Sequence, residues 1–287
     1  MHATDRRAAL RKLALAGLAG TGALGLPGLA RAETGNLDKI KERGVLTVAV
    51  YDDLPPFSTD KGLGGIDALI AHAIAAQLGV KAKLLPFPGG EDMEDDLRFM
   101  VWKGHYLGYG PADLMLHVPV ERPLMNANPQ VTIFAPYWRE RVMVARNREQ
   151  VPAVESLDAL KPYDIGVSGQ TLAGWLLANA DGGALQPRLR TTYKDGVAAA
   201  QALLKGDVQV VGGLNSELLH VLGQDKRFAV EPLPSPRVSR DGWTIGCAVK
   251  REAEPLAQAV AAAMSTLSDS GELRKIFQTA QLEWRRP

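Results

Sequence analysis

Cysteine is nearly absent: Cys247 is the single one in 287 residues, so no intrachain disulfide can form in any compartment. It lies in an apolar run, residues 243–249, which suits a buried structural thiol rather than a reactive one. An excess of charge of either sign is missing too, with 33 basic against 32 acidic residues. Leaving out residues 1–32 removes five basic side chains and one acidic one, and the remaining 28 basic and 31 acidic residues carry a net charge of −3. That balance argues against a nucleic-acid binder, which needs a basic patch to displace counterions. Beyond residue 32 no apolar stretch is long enough to span a bilayer. Catalytic signatures are lacking as well: there is no nucleophile elbow, zinc motif, phosphate loop or carboxylate pair at a defined spacing. Gly62-Leu63-Gly64-Gly65 reads as a turn without the strand-to-helix setting of a dinucleotide fingerprint, and His105 and His117 lack further spaced metal ligands. No cofactor, metal or enzymatic activity is therefore expected.

What is present begins with a leader. Residues 1–32 combine a basic start, an apolar centre over residues 13–26 and the small-residue site Ala30-Arg31-Ala32, the three parts of an export signal with cleavage predicted after Ala32. Arg6-Arg7 with Leu10 and Arg11 resembles a twin-arginine signal, with Ala9 where Phe is usual; general secretion is the alternative. Either route predicts a periplasmic protein.

The mature chain alternates strand and helix patterns. Residues 45–50 form a β-branched run that ends in Tyr51-Asp52-Asp53-Leu54-Pro55-Pro56-Phe57, a strand followed by an acidic, aromatic turn. Residues 66–78 have apolar spacing of helical period up to Gly79, and residues 80–85 form the next strand, a unit of the kind that builds parallel sheets. A helix over residues 96–103 and a Gly-rich aromatic loop over residues 105–111 lead to Leu114-Met115-Leu116-His117-Val118, a strand buried on both faces. His117, Glu121 and Arg122 sit at its carboxyl end, where open α/β sheets meet their ligands. Two further strands fall within residues 131–145. The pattern then restarts with a strand over residues 163–167, the turn Ser168-Gly169-Gln170-Thr171 and a helix over residues 172–180. Such a turn aims backbone donors at an anion, while Ser168 or Thr171 can equally cap the helix. A helix at 195–204, a strand at 208–211, a helix at 215–222 and a strand at 228–233 follow. The strand at 243–249 and two closing helices, 253–267 and 272–282, complete the chain. One α/β unit embedded in another predicts two lobes joined by crossing segments: residues 36–140 and 241–287 in the first, 141–240 in the second. The ligand cleft is expected between them.

This order resembles the family 3 solute-binding proteins, periplasmic receptors that deliver amino acids and similar solutes to ABC importers. The likeness runs from Val45 to Trp284. Gly65-Ile66-Asp67 is similar to the family's Gly-Phe-Asp signature, with Leu69 replacing the second acidic residue, and residues 51–57 are similar to its first ligand loop. The resemblance implies a two-lobed type II binding-protein fold. It places Arg122 on the arginine that pairs with a ligand carboxylate, a role suited to a planar fork of donors, and Gly169-Gln170-Thr171 on the second-lobe turn that binds the same group. Asp52, Asp53, Phe57, His117 and Asn215 complete the candidate ligand contacts. Two departures stand out: Gly213 occupies the position of the acid that usually holds an α-ammonium group, and the segment before Arg122 is shortened to His117-Val118-Pro119. An α-amino acid would leave its ammonium unpaired, which is costly, so the expected solute is small, polar and anionic, such as an organic acid. The shortened loop also resembles a divergent branch of accessory periplasmic proteins of quinoprotein dehydrogenases, whose partner surface could include residues 105–119 and 125–129. A third possibility is a dehydratase-like enzyme on the same fold, using Glu217 or Asp53. The partners expected are thus a small-molecule ligand and either an importer permease or a periplasmic redox enzyme, with the protein acting as a monomer.

Overall fold

A computed structural model describes residues 36–287, so the export-signal reading of residues 1–32 lies outside the described residues. The chain opens with α1 (Leu37–Arg43), β1 (Val45–Tyr51), α2 (Ile66–Gln77), β2 (Lys81–Phe87), α3 (Met93–Leu97), β3 (Leu114–Pro119), α4 (Arg122–Ala127) and β4 (Val131–Glu140). It continues with β5 (Val142–Asn147), β6 (Ile165–Gly166), α5 (Leu172–Ala178), β7 (Leu189–Arg190), α6 (Gly196–Lys205), β8 (Val210–Leu214), α7 (Asn215–Leu222) and β9 (Phe228–Pro232). β10 (Trp243–Lys250), α8 (Glu254–Asp269) and α9 (Glu272–Thr279) close it.

The strands form two five-stranded sheets within one compact unit, ordered β2-β1-β3-β10-β4 and β7-β6-β8-β5-β9. In the first, β1 runs parallel to β2 and β3, and β10 is antiparallel to β3 and β4. In the second, β6 runs parallel to β7 and β8, and β5 is antiparallel to β8 and β9. Only Arg141 separates β4 of one sheet from β5 of the other, and Trp243 at the start of the returning β10 pairs with Glu140. The two crossing segments therefore run side by side.

Both faces of each sheet are covered, which explains the continuous apolar runs. Leu46, Val48 and Val50 of β1 pack with Ile66, Ile70 and Ile74 of α2 and Val260 of α8, while Ala49 faces Leu97 and Met100 on the other side. In the second sheet, Val144 and Val210 meet Leu176 and Leu177 of α5, and Met143, Ala145 and Val211 meet Leu203 and Leu218. Cys247 is fully buried in the first lobe, as its surroundings in sequence suggested, and burial pushes its thiol pKa up. Helix α6 is opened by Asp195, whose carboxylate accepts the Ala198 N–H at 2.7 Å.

The expected elements shift in places. The helix expected over 96–103 is α3 followed by a wider π-type turn over Arg98–Trp102. The pieces expected around Pro136 join into one ten-residue strand, β4, which accommodates Pro136 with Ala135 at φ +50°. β6 is shorter than the run 163–167, and β8 starts later and ends later than 208–211. The short helices α1 and α4 carry too little apolar periodicity to be read from sequence.

Candidate functional site

At the carboxyl end of β1, Tyr51 leads into Asp52 and Asp53. The Tyr51 hydroxyl donates to Asp96 Oδ2 at 2.7 Å, and its ring packs on Phe87. Burial, reinforced by Asp96, holds the Tyr51 hydroxyl well above its ordinary pKa. Phe57 is only 2% exposed and packs against His117, Trp138 and Phe277. It is thus a core side chain beneath the loop rather than an open ligand wall.

His117 departs from regular strand geometry, with φ at +62° in the middle of β3. On either side of it the ladder to β10 slips: Val118 pairs with Gly246, yet Met115 pairs with Ala248, so β3 carries one extra residue. This β-bulge reverses the inward alternation, because Leu114 and Leu116 face one core whereas Val118 joins Met115 in the other. Gly246 sits opposite, where a Cβ would lie 2.5 Å from the Phe134 carbonyl, so no larger residue fits between the two distorted neighbours. The His117 N–H donates to the Tyr137 hydroxyl at 2.9 Å, which in turn donates to Asp67 Oδ1 at 2.8 Å. Asp67, in the first turn of α2, is fully buried, and its Oδ2 lies 3.4 Å from His117 Nδ1. The two atoms are within ion-pair range but lack hydrogen-bond geometry, and both are buried without a hydrogen-bond partner. The His117 side chain keeps 14% of its surface open. With Nδ1 buried, Nε2 is the nitrogen that solvent reaches.

From the second lobe, the turn after β6 is tied down internally. Gly169 N donates to the Thr191 carbonyl at 3.1 Å, and the Thr171 hydroxyl donates to the Ser168 carbonyl at 2.8 Å while accepting the Gly174 N–H at 3.2 Å. Thr171 is thus the N-cap of α5, and Gly169 and Gln170 are exposed. The loop after β7 lies beside this turn: Ser168 bridges to Thr192, and its hydroxyl donates to the Lys194 carbonyl at 3.1 Å. The Lys194 ammonium pairs with Asp53, joining a second-lobe loop to the first ligand loop. Its pKa is raised, first by that contact, with Asp195 and Asp52 adding to it. Both partners are substantially exposed, so the pair contributes about 0–1 kcal/mol.

Near the end of β8, Gly213 is packed on one side by α7. A Cβ there would lie 3.0 Å from Leu218 Cδ2 and 3.3 Å from Glu217 Oε2, so an aspartate would need Leu218 to move. Glu217 is itself engaged, Oε1 accepting the Gly196 N–H at 2.9 Å and Oε2 the Leu214 N–H at 2.8 Å. Desolvation raises its pKa to about 7 against these two bonds. Both oxygens join helix ends, a structural use of this carboxylate. Glu140, at the end of the crossing strand β4, accepts the Ser216 N–H at 3.0 Å and the Ser216 hydroxyl at 2.6 Å, together with the Trp138 indole N–H at 3.2 Å. It is 1% exposed, and burial raises its pKa. The first-sheet strand thereby grips the N-terminus of α7. Asn215 is 7% exposed, and its N–H donates to the Arg141 carbonyl at 2.9 Å.

The sequence-predicted residues thus do not all share one place. Asp52, Asp53 and His117 gather around Tyr51 at one sheet edge, and Asp53 meets the second lobe through Lys194. Gly169, Gln170 and Thr171 share one turn, and Asn215 begins α7 at the crossing. Arg122 is the first residue of α4, exposed, with no ion pair or hydrogen bond from its guanidinium among the described residues. Lys194, Asp67, Tyr137 and Glu140 were not read as site residues. Only Asp67 carried a signal, its place in Gly65-Ile66-Asp67. Among the described residues no group of three or more His, Cys, Asp or Glu could hold a metal, and no helix is long and apolar enough to cross a membrane.

No family model matches the sequence. The L-cystine-binding protein TcyJ of Escherichia coli (strain K12) is 24% identical over 184 residues, which are 63% of this chain; the match spans 62% of that protein's length. An ancestral cationic amino acid solute-binding protein has a similar structure, with a TM-score of 0.65 and 18% identity, over 85% of this chain and 98% of the other. An amino acid ABC transporter substrate-binding protein from Streptococcus pneumoniae bound to L-arginine gives 0.59 and 21% over 86% and 98%. A solute receptor for L-cysteine of Neisseria gonorrhoeae gives 0.56 and 18% over 86% and 94%. The chain therefore has the two-lobed α/β fold of periplasmic amino-acid-binding proteins.

Proposed function

We propose that the protein is a periplasmic solute-binding protein that closes its lobes on a small polar, anionic solute and delivers it to an ABC importer. The observation that carries this reading is the contact of Lys194 with Asp53, which brings loops from the carboxyl ends of both sheets against one another. Arg122 offers an uncommitted guanidinium on the first-lobe side, and the Ser168–Thr171 turn lies on the second. Gly213 supports an anionic solute without an obligatory α-amine, since it offers no acid there and the Leu218 side chain packs 3.0 Å from where a Cβ would lie. The relatives named above are binding proteins, and Glu217 and Asp53, the residues a dehydratase-like activity would use, are already partnered. A role beside a periplasmic redox enzyme is the second reading; it draws on Tyr106 and Leu107, 83% and 69% exposed at the tip of the aromatic loop.

A thermal-shift screen of L-amino acids, organic acids and polyamines tests the proposal. A ligand at one hundred times its Kd adds about 2.7 kcal/mol to stability, and Arg122→Ala is expected to erase the shift of an anionic ligand. Tight binding of an ordinary L-amino acid, with no response to carboxylic acids, refutes the anionic assignment.

A further inference from the structure

We infer that His117, backed by the buried Asp67 carboxylate, makes solute capture proton-linked: the imidazole receives an anionic group of the ligand on Nε2 as it takes up a proton. The inference rests on the receptor reading and adds to it an imidazole, a group able both to take up a proton and to donate a hydrogen bond, beside the permanently charged Arg122. Three observations carry it. The bulge in β3, with His117 at φ +62°, turns this one side chain out of the strand's alternation. Behind it lies a carboxylate oxygen, Asp67 Oδ2, buried without a hydrogen-bond partner and 3.4 Å from an equally unpartnered Nδ1. A positive charge on the ring lies within ion-pair range of this carboxylate, and a buried carboxylate without a charge partner is costly. In front, Nε2 is the ring nitrogen left open, at the same sheet edge as Asp52 and Asp53.

Acids and protonated hydroxyl and thiol groups surround the ring. Asp67 from α2 and Glu140 from β4 are acids, and Glu140 interacts electrostatically with His117. Tyr51 from β1 and Tyr137 from β4 are held protonated by burial, as is Cys247 of β10, which faces Asp67. Phe57 packs against the ring with centroids 4.4 Å apart. A histidine positioned by a carboxylate at one nitrogen and free at the other binds an anion at the free one with a charge-assisted hydrogen bond.

Calorimetric titration tests the inference, using as probes succinate, citrate, lactate and the L-amino acids that shift the melting point. The wild-type protein is titrated at about pH 6 and pH 8 in buffers of different ionisation enthalpy, alongside three variants. In the wild type, affinity is expected to fall roughly ten- to hundredfold from the lower to the higher pH, with net proton uptake on binding. His117→Asn keeps a residue that tolerates the left-handed backbone and is expected to flatten that dependence and abolish the uptake. Asp67→Asn retains an acceptor for the Tyr137 hydroxyl and is expected to weaken binding at pH 8 more than at pH 6. Arg122→Ala is expected to weaken binding equally at both. Binding without proton uptake, or a His117→Asn variant with the wild-type pH dependence, overturns the role of His117 while leaving the receptor reading standing. A panel in which nothing binds overturns the receptor reading, and this inference with it.

Discussion

Glu140 offers the sharpest test of how the two lobes are joined. Replacing it with alanine removes the acceptor of four donors: the Trp138 indole at 3.2 Å, the Arg141 N–H at 3.3 Å, and the N–H and hydroxyl of Ser216 at 3.0 and 2.6 Å. The Ser216 hydroxyl can rotate to another acceptor, whereas the three N–H groups have fixed directions. Each buried donor left alone costs about 1–3 kcal/mol. The carboxylate's own burial, which raises its pKa, offsets part of that sum. A net loss of about 3 kcal/mol follows, near the upper end for a single substitution. In a chain of this size 1 kcal/mol moves Tm by about 2–4 °C, so Glu140→Ala is expected to melt about 6–12 °C lower. Glutamine separates charge from hydrogen bonding. Its carbonyl in place of Oε1 keeps both N–H donors, and its NH2 in place of Oε2 donates to Ser216 Oγ and loses only the indole. Glu140→Gln is therefore expected to cost about 1 kcal/mol. Differential scanning calorimetry at neutral pH reads both values. An alanine variant melting within about 1 °C of wild type refutes the role of Glu140 as the clamp on α7.

Two further predictions concern positions where burial or space is tight. Glu217 holds a proton up to about pH 7 in the folded protein, against an ordinary value of 4.5. The unfolded chain therefore binds fewer protons in that window, so the stability this group contributes is present below pH 4.5 and is lost as pH rises through 7. The loss amounts to at most about 3 kcal/mol at 1.36 kcal/mol per unit. Glu217→Gln gives up one backbone acceptor at every pH and escapes the charging cost. Urea denaturation should show its deficit relative to wild type shrinking between pH 5 and 8, and a constant deficit counts against buried ionisation. Gly65 precedes α2 at φ +91°, and a Cβ there would lie 2.4 Å from the Phe57 carbonyl. Gly65→Ala is expected to lose about 3 kcal/mol or more by the same assay; an unchanged midpoint would show that the loop below it yields easily.

Elements with a local cause were legible in the sequence. Apolar runs marked β1, β3 and β10, and α7 begins and ends where its pattern does, at Asn215 and Leu222, because burial periodicity repeats within a few residues. Membership of Cys247 in the core followed from its neighbours for the same reason. The two-sheet architecture was legible from the order of those elements and from the resemblance of residues 51–57 and 65–67 to a known family. Side-chain partnerships were not. Phe57 read as a ligand residue because it stands in a Pro-Pro turn, yet Trp138 and Phe277, distant in sequence, enclose it. The bulge at His117 has no local signal, since it depends on Gly246 and on a hydroxyl twenty residues away. Asp67 meets Tyr137, Glu140 meets Ser216 and Asp53 meets Lys194 only once the chain is folded. Periodicity decides which face of an element is buried, whereas polar pairing across lobes is decided by contacts between segments that no window of sequence contains.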